Sequence, residues 1–263
     1  MITLIKEKFG DRLGDRIRAR KPFSLIRFGD GEATIMRYPR YATLAQARTQ
    51  VAHWWREPEA DKQQISCIRA PLLLAIQHAD MLGVPSVAEQ RLYPKWNVGL
   101  RYEAFMRWLN LPKASADVFY FYHVIAIDRN GTLDDVLHND PSIRLITCRP
   151  QALKIAQRRF GTRRIEMRLV RAETFRWRPY SEIDAAAKLC ANCPPHWPEG
   201  YREVCAWIRA GGAGHVYLVG AGGLGKIYCD LARRAGSIGL DLGALFDGWV
   251  GLQTRPYLRG RSA

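Results

Sequence analysis

Short apolar runs alternate with longer amphipathic segments along most of the chain, and this alternation restricts the fold more than any other feature of the sequence. Apolar runs of a few residues predict buried strands, and segments with apolar residues every three or four positions predict helices. Strands are predicted at residues 23–26, 65–68, 118–127, 143–148, 165–170, 215–219 and 237–240. Helices are predicted at residues 4–19, 72–82, 96–109, 150–160, 201–210 and 224–235. The alternation indicates an α/β fold with a mostly parallel sheet flanked by helices.

The size of the chain fits either one large α/β domain or two small ones. Its 263 residues are 48% hydrophobic, which is enough to build a substantial core. We expect a single domain over residues 1–263. Residues 171–199 are rich in Trp, Pro and Arg, and Pro194-Pro195 interrupts any helix there. This stretch is therefore predicted to be an irregular insertion that faces the substrate.

Basic residues outnumber acidic residues by a wide margin. Forty Lys and Arg against 25 Asp and Glu give a formal net charge of +15. Such a charge favours a polyanionic partner, which can be a nucleic acid, an anionic membrane face or a phosphate-rich substrate. The basic residues are spread along the chain, which predicts a folded basic face. A noncatalytic nucleic-acid binder is one alternative, but no nucleic-acid-binding module is recognisable, so no nucleic acid is expected as a partner.

The sequence lacks the features of an exported or membrane-spanning chain. Charges interrupt the apolar run at the N-terminus, and no run of about 18 uncharged apolar residues occurs. We expect a cytoplasmic protein, peripheral to the inner face of the membrane if its basic face binds lipid. The six cysteines are scattered and are expected to be reduced. Cys190 and Cys193, with His196 and Cys205, are candidate zinc ligands, although their spacing is poor for a zinc site.

A pair of carboxylates follows the first predicted strand. Residues 27–32 read Arg-Phe-Gly-Asp-Gly-Glu, so Asp30 and Glu32 lie one residue apart on a turn that contains Gly29. Ligands of open α/β sheets bind at the carboxyl ends of strands, and paired carboxylates suit Mg²⁺ or Mn²⁺. Arg27 is a candidate partner for a phosphate or a carboxylate. The structural alternative is a polar turn in which Asp30 caps the next helix.

A second turn near the C-terminus is rich in glycine. Gly220, Gly222 and Gly225 match G-x-G-x-x-G between a predicted strand and a predicted helix, whose first amides can bind an anion. Gly223 lies inside this turn, and Lys226 adds a cation beside it. Asp241 follows about 20 residues later, as a ribose-binding acid does in NAD-binding domains. An NAD-dependent oxidoreductase is therefore an alternative, and glycines that only allow close helix packing are another.

Two acids follow the last predicted strand. Asp241 and Asp247 each come after an apolar run, and either is a candidate base that takes the proton of an acceptor hydroxyl. Asp247-Gly248 is also a common turn pair.

Two separated segments of the chain resemble the bacterial glycosyltransferases of the GT-D fold. In that family a strand leads into R-F-G-D-G-E, which contains a D-x-E metal motif, and residues 27–32 have this sequence. Residues 216–226 and 239–249 are similar to the family's closing strand, glycine turn, helix and D-x-G strand. Residues 43–141 and 171–201 match only in their general α/β character. The glycine turn departs from the streptococcal members, since it contains more glycine.

The resemblance implies a Rossmann-like sheet and a metal-dependent hexosyltransferase that uses a nucleotide sugar, with UDP as the expected nucleotide. It implies Asp30 and Glu32 as ligands of Mn²⁺ or Mg²⁺. We expect the donor diphosphate between this metal and the turn at residues 220–226, where Lys226 and the backbone amides stabilise the leaving group. The expected acceptor is a glycan or a lipid-linked molecule of cell-surface polysaccharide or glycoprotein assembly. The sequence makes no prediction of the oligomeric state.

Overall fold

Seven parallel strands form one sheet in the computed structural model, which describes residues 6–40, 42–55, 60–84, 117–171 and 195–252. The strands are β1 (Phe23–Arg27), β2 (Met81–Val84), β3 (Asp117–Tyr120), β4 (Ile143–Thr147), β5 (Glu166–Leu169), β6 (Val216–Gly220) and β7 (Ile238–Asp241). Their order across the sheet is β3-β2-β1-β7-β6-β4-β5, and every neighbouring pair is parallel. This architecture confirms the predicted α/β fold.

Helices cover both faces of the sheet. They are α1 (Lys6–Arg18), α2 (Asp30–Arg37), α3 (Leu44–Trp55), α4 (Lys62–Gln77), α5 (Phe121–Arg129), α6 (Thr132–Leu137), α7 (Ala152–Arg159), α8 (Tyr201–Gly211), α9 (Gly222–Arg234) and α10 (Leu245–Trp249). A π-helical turn, His196–Gly200, precedes α8. Among the described residues, no helix combines the length and the apolar character that a bilayer crossing requires.

The core consists of two hydrophobic layers, one on each face of the sheet. Helices α2, α3, α4, α8 and α9 pack on one face. Helices α1, α5, α6, α7 and α10 pack on the other. Neighbouring strand residues alternate between the layers, so Leu25 belongs to the second layer and Ile26 to the first. Because both faces are covered, the central strands β1, β6 and β7 are buried along almost their whole length, which is why short apolar runs identified them.

The centre of the sheet is assembled from the two ends of the described chain. Strand β1 pairs with β7 through Phe23 and Ile238, and β7 pairs with β6. The chain leaves β1 toward α2 on one face and leaves β7 toward α10 on the other. Adjacent strands whose connections diverge in this way open a crevice at their carboxyl ends, which is the usual ligand site of such sheets.

Two of the sequence predictions are wrong because apolar residues repeat with helical spacing. The strand predicted at residues 65–68 lies inside α4, whose Ile65, Ile68 and Leu72 face the core and whose first turn is capped by Asp61. The strand predicted at residues 118–127 ends at Tyr120, after which α5 begins. Strand β2 was not predicted as a strand, because its residues were assigned to the end of a helix. The predicted helix at residues 96–109 and most of the predicted insertion lie outside the described residues.

Candidate active site

The turn between β1 and α2, which we call the carboxylate turn (residues 28–32), holds Glu32 in a fixed position. Gly29 is the N-cap of α2, and its backbone N–H donates to Glu32 Oε2 over 3.0 Å. Glu32, the third residue of α2, thus accepts the backbone N–H of the N-cap residue, as the N3 carboxylate does in a capping box. Asp30 is the first residue of α2, and its side chain lies outside the described part of the structure.

Lys226, in the first turns of α9, reaches from the second predicted motif to the first. Its Nζ lies 3.0 Å from Glu32 Oε1 and 3.1 Å from Asp241 Oδ2, and it donates to the backbone oxygen of Gly222 over 3.0 Å. The side chain is only 7% exposed. Burial by itself would lower the pKa of Lys226, but Asp241 and Glu32 raise it above its usual value. The lysine is therefore a fixed positive charge between two carboxylates.

Asp241 ends β7 and is held from the neighbouring strand by Arg27. The backbone N–H of Arg27 donates to Asp241 Oδ2 over 3.2 Å, and its guanidinium lies 3.4 Å from Oδ1. Burial would raise the pKa of the Asp241 carboxyl, but Arg27 and Lys226 together lower it below its ordinary value. The guanidinium passes directly over Gly243, where a Cβ would collide with it. Gly243 also has a positive φ of 51°, so glycine is favoured at this position, a site residue that the sequence analysis did not assign.

Four charged side chains thus converge in the crevice between β1 and β7: Arg27, Glu32, Lys226 and Asp241. All four were predicted as site residues, and the structure brings them into one network of ion pairs. Each buried cation contacts at least one buried anion, and these contacts offset part of the free-energy cost of removing the charges from water. The pairing of Lys226 with Glu32 was not predicted, because the two residues lie near opposite ends of the chain and are brought together only by the order of the strands in the sheet.

The turn between β6 and α9, which we call the glycine turn (residues 220–226), is filled by side chains from elsewhere in the protein. A Cβ at Gly220 would lie 2.5 Å from the ring of Phe246, and a Cβ at Gly223 would lie 2.5 Å from the ring of Trp54. Gly222 has a positive φ of 55°. These glycines are therefore explained by backbone conformation and close packing, as the packing alternative predicted. Trp54 is a core residue, 5% exposed.

Asp247 lies in α10 and is tied to the end of β4. Arg149 Nε donates to Asp247 Oδ1 over 2.6 Å, and both side chains are buried. Arg149 follows the predicted strand at residues 143–148 directly, and a charge at the carboxyl end of a strand is a signal that could have identified it. The pair anchors α10 beside the crevice.

The candidate zinc ligands are not assembled in the described structure. Cys190 and Cys193 lie outside the described residues, so that prediction is untested for them. His196 is buried, its Nε2 lies 3.0 Å from the hydroxyl of Tyr228, and burial lowers its pKa to about 3. Within the described ranges, no group of three His, Cys, Asp or Glu side chains is arranged to hold a metal ion.

A parallel sheet with helices on both faces and charged side chains at the carboxyl ends of its central strands is a Rossmann-like arrangement. The chain belongs to the family described as the GT-D fold-like domain, whose sequence profile matches residues 4–193. The predicted enzyme class, a glycosyltransferase, is confirmed by this membership together with the fold. The matched region includes the carboxylate turn and ends before the glycine turn.

A solved structure described as a new glycosyltransferase (DUF1792) from Streptococcus sanguinis has a similar fold. It aligns with a TM-score of 0.51 over 95% of this chain and 84% of that chain, at 14% sequence identity. No curated protein matches the chain significantly. The likeness extends beyond the residues matched by the family profile, so the fold similarity includes the C-terminal strands.

Proposed function

We propose that the protein is a metal-dependent hexosyltransferase in which one domain, residues 1–263, binds a UDP-sugar and a glycan or lipid-linked acceptor. The observation that carries the proposal is the buried position of the Lys226 ammonium. Glu32 and Asp241 direct carboxylate oxygens at this one cation, at the carboxyl ends of β1 and β7. The crevice therefore already places a cation beside the D-x-E sequence, at the edge of the sheet where ligands of such folds bind.

The D-x-E sequence fits a hard divalent cation by its chemistry. Asp30 and Glu32 are carboxylates one residue apart, and carboxylate oxygens are the ligands that Mg²⁺ and Mn²⁺ prefer. Glu32 Oε1 already contacts a cation, the ammonium of Lys226. When bound, the metal would neutralise charge on the donor diphosphate. We assign Asp30 and Glu32 to the metal.

The other residues of the network receive separate roles. Gly29 is assigned to the donor site because it lies in the carboxylate turn and its backbone N–H holds Glu32. Arg27 is assigned to the donor phosphates while it holds Asp241. Gly220 and Gly223 are assigned to packing against Phe246 and Trp54, and Gly222 is assigned to the positive-φ turn at the start of α9.

The base that accepts the proton of the acceptor hydroxyl is not identified by contacts within the protein. Asp247 stays the candidate for this role, and its ion pair with Arg149 fixes its position beside the crevice. Asp241 is less suited to it, because its carboxylate is 1% exposed and is held by both Arg27 and Lys226.

A basic surface supports an anionic acceptor or membrane face. Lys154, Gln157, Arg158 and Arg163 line an open concavity of about 670 Å³ beside α7. This surface suits a lipid diphosphate, an anionic glycan or the inner face of a membrane, and we propose that the protein acts in the cytoplasm beside that face. Sedimentation with anionic vesicles should show binding that weakens as salt increases.

The geometry does not favour the NAD-dependent oxidoreductase. In a dinucleotide site the acid that follows the second strand must be accessible to the ribose. Asp241 is buried and fully engaged, and Trp54 occupies the space over Gly223.

A thermal-shift panel tests the proposed function. UDP, GDP, UDP-sugars and NAD are each added with and without Mn²⁺ to wild type, to Asp30→Ala and to Asp11→Ala, which removes an exposed carboxylate of α1. The proposal requires Mn²⁺-dependent stabilisation by UDP that disappears in Asp30→Ala and persists in Asp11→Ala. Stabilisation by NAD alone, unaffected by metal or by Asp30→Ala, would contradict it.

A further inference from the structure

The ammonium of Lys226 has no hydrogen-bonding capacity left for a substrate. Its three N–H donors match three acceptors, which are the backbone oxygen of Gly222, Glu32 Oε1 and Asp241 Oδ2. The side chain is enclosed, with 7% of its surface exposed. In this arrangement Lys226 cannot also bind a donor phosphate, so the direct contact predicted from the sequence requires the ammonium to change partners.

Glu32 is equally engaged on both of its oxygens. Oε1 contacts Lys226, and Oε2 accepts the hydrogen bond from the backbone N–H of Gly29. A divalent cation that approaches Glu32 therefore meets a positive charge already in contact with its ligand. Like charges a few ångströms apart in a buried site repel each other strongly, because little water lies between them to screen the interaction.

We propose that Lys226 is an internal cation that competes with the divalent metal for Glu32 and is released toward the donor when the metal binds. The inference rests on the proposed function, because it takes Glu32 as a metal ligand. Lys226 keeps Asp241 as a partner after the exchange. Asp241 itself stays in place, because two groups of Arg27 hold it independently of Lys226.

The charge balance of the crevice explains why such an exchange suits a transferase. Arg27 and Lys226 balance Glu32 and Asp241, so these four residues carry no net charge. A metal bound by Asp30 and Glu32 leaves the crevice with excess positive charge, which a nucleoside diphosphate compensates. Metal alone is therefore bound weakly, and metal and nucleotide favour each other's binding.

Direct metal binding tests the proposal without any measurement of transfer. The free Mn²⁺ concentration is followed by electron paramagnetic resonance in wild type, in Lys226→Met and in Lys62→Met, which removes an exposed lysine of α4. Without nucleotide, Lys226→Met should bind Mn²⁺ at least ~10-fold more tightly than wild type, because the competing charge is gone. Lys62→Met should bind as wild type does. UDP should increase Mn²⁺ affinity less in Lys226→Met than in wild type.

The outcomes separate this inference from the proposed function. Equal Mn²⁺ affinity in wild type and Lys226→Met overturns the competition while the metal site stands. Absence of Mn²⁺ binding to either protein, with and without UDP, overturns the metal-dependent transferase and the competition together.

A labelling measurement on wild type covers the case in which Lys226→Met does not fold. Reductive methylation of lysines is followed by mass spectrometry with and without Mg²⁺, with exposed Lys62 as the internal reference. Lys226 should be protected without metal, since its ammonium is buried in ion pairs, and should be modified several times faster when Mg²⁺ saturates the protein. An unchanged rate at saturating Mg²⁺ overturns the proposal.

Discussion

The carboxylate turn and the glycine turn look alike in sequence but are used differently. Each follows a buried parallel strand, contains glycine and begins a helix at the same edge of the sheet. A Cβ would collide with Trp54 at Gly31 in the first turn and at Gly223 in the second, and with Phe246 at Gly220, whereas at Gly29 it would meet the carboxylate of Glu32. Close packing therefore accounts for glycine in both turns, and Gly29 differs because its neighbour belongs to the charged network.

A glycine-rich turn indicates first that another group packs closely against its backbone; ligand binding there needs separate evidence. The glycine turn contributes the ammonium of Lys226, one helical turn beyond its first residues, and the carboxylate turn contributes Glu32. Neither turn contains a complete charged site. The family profile covers the first turn and not the second. It therefore includes Glu32 and ends before Lys226, the residue that pairs with it.

The largest expected effect is on kcat, where a substitution in the carboxylate turn should matter far more than one in the glycine turn. Asp30→Ala should lower kcat roughly 10³-fold, about 4 kcal/mol in activation free energy, because it removes a proposed ligand of the metal. Gly223→Ala should leave kcat within a few-fold of wild type at temperatures where it is folded. Single-turnover transfer at saturating Mn²⁺ measures both. An Asp30→Ala enzyme as fast as wild type would remove the metal from the carboxylate turn.

Asp241→Asn should cause the second-largest effect, in stability. The change leaves Arg27 and Lys226 without their shared carboxylate and should lower the free energy of unfolding by about 3 kcal/mol at pH 7. Because the folded protein lowers the pKa of Asp241 from its ordinary value of 3.8, its contribution is present above that pH and is lost as pH falls through the folded pKa. Urea unfolding at pH 7 and pH 3 should show the difference between the proteins shrinking in acid.

The exposed ion pair of Asp15 and Arg18 gives the matched control for this measurement. Asp15 is 75% exposed and lies 2.7 Å from Arg18, so Asp15→Asn should change the free energy of unfolding by less than ~1 kcal/mol. A difference between wild type and Asp241→Asn that is as large at pH 3 as at pH 7 would show that the charge of Asp241 does not stabilise the fold.

The smallest effect is expected from Gly223→Ala. Its Cβ would lie 2.5 Å from Trp54, so overpacking should cost about 2 kcal/mol, partly offset by the better helix propensity of alanine. Thermal unfolding measures it, and the cost should fall in a Trp54→Leu background, which makes room. Gly10→Ala in α1, where the nearest atoms lie 3.5 Å away, should be neutral or stabilising. Loss of UDP binding without loss of stability would identify the glycine turn as a ligand contact.

The sequence was sufficient to predict strands that are apolar throughout and are bounded by glycine or charged residues. Strand β6 and helix α9 were predicted close to their observed bounds, because the apolar run, the glycines and the helical repeat agree. The region of β2 and β3 was predicted poorly, since these strands are four residues long and their apolar runs continue into helical segments. Short runs do not distinguish a strand from one face of a helix.

The sequence analysis selected the residues of the site, but it did not predict which of them contact each other. Arg27, Glu32, Lys226 and Asp241 were each selected for their chemistry beside a strand end. Their mutual pairing depends on β7 lying between β1 and β6, which local sequence patterns do not determine. The same holds for Trp54, whose contact with Gly223 joins α3 to α9.

The pairing of β1 with β7 also determines when the crevice exists during folding. Arg27 and Asp241 are separated by 214 residues and yet hydrogen-bond across neighbouring strands. During synthesis, β1 therefore emerges from the ribosome long before the strand that completes its edge. Contacts of such high sequence separation form late, because the intervening chain must first be ordered. A nascent chain that stops before β7 leaves one edge of β1, whose other edge pairs with β2, available to other chains, and assembly of the charged crevice marks the completion of the sheet.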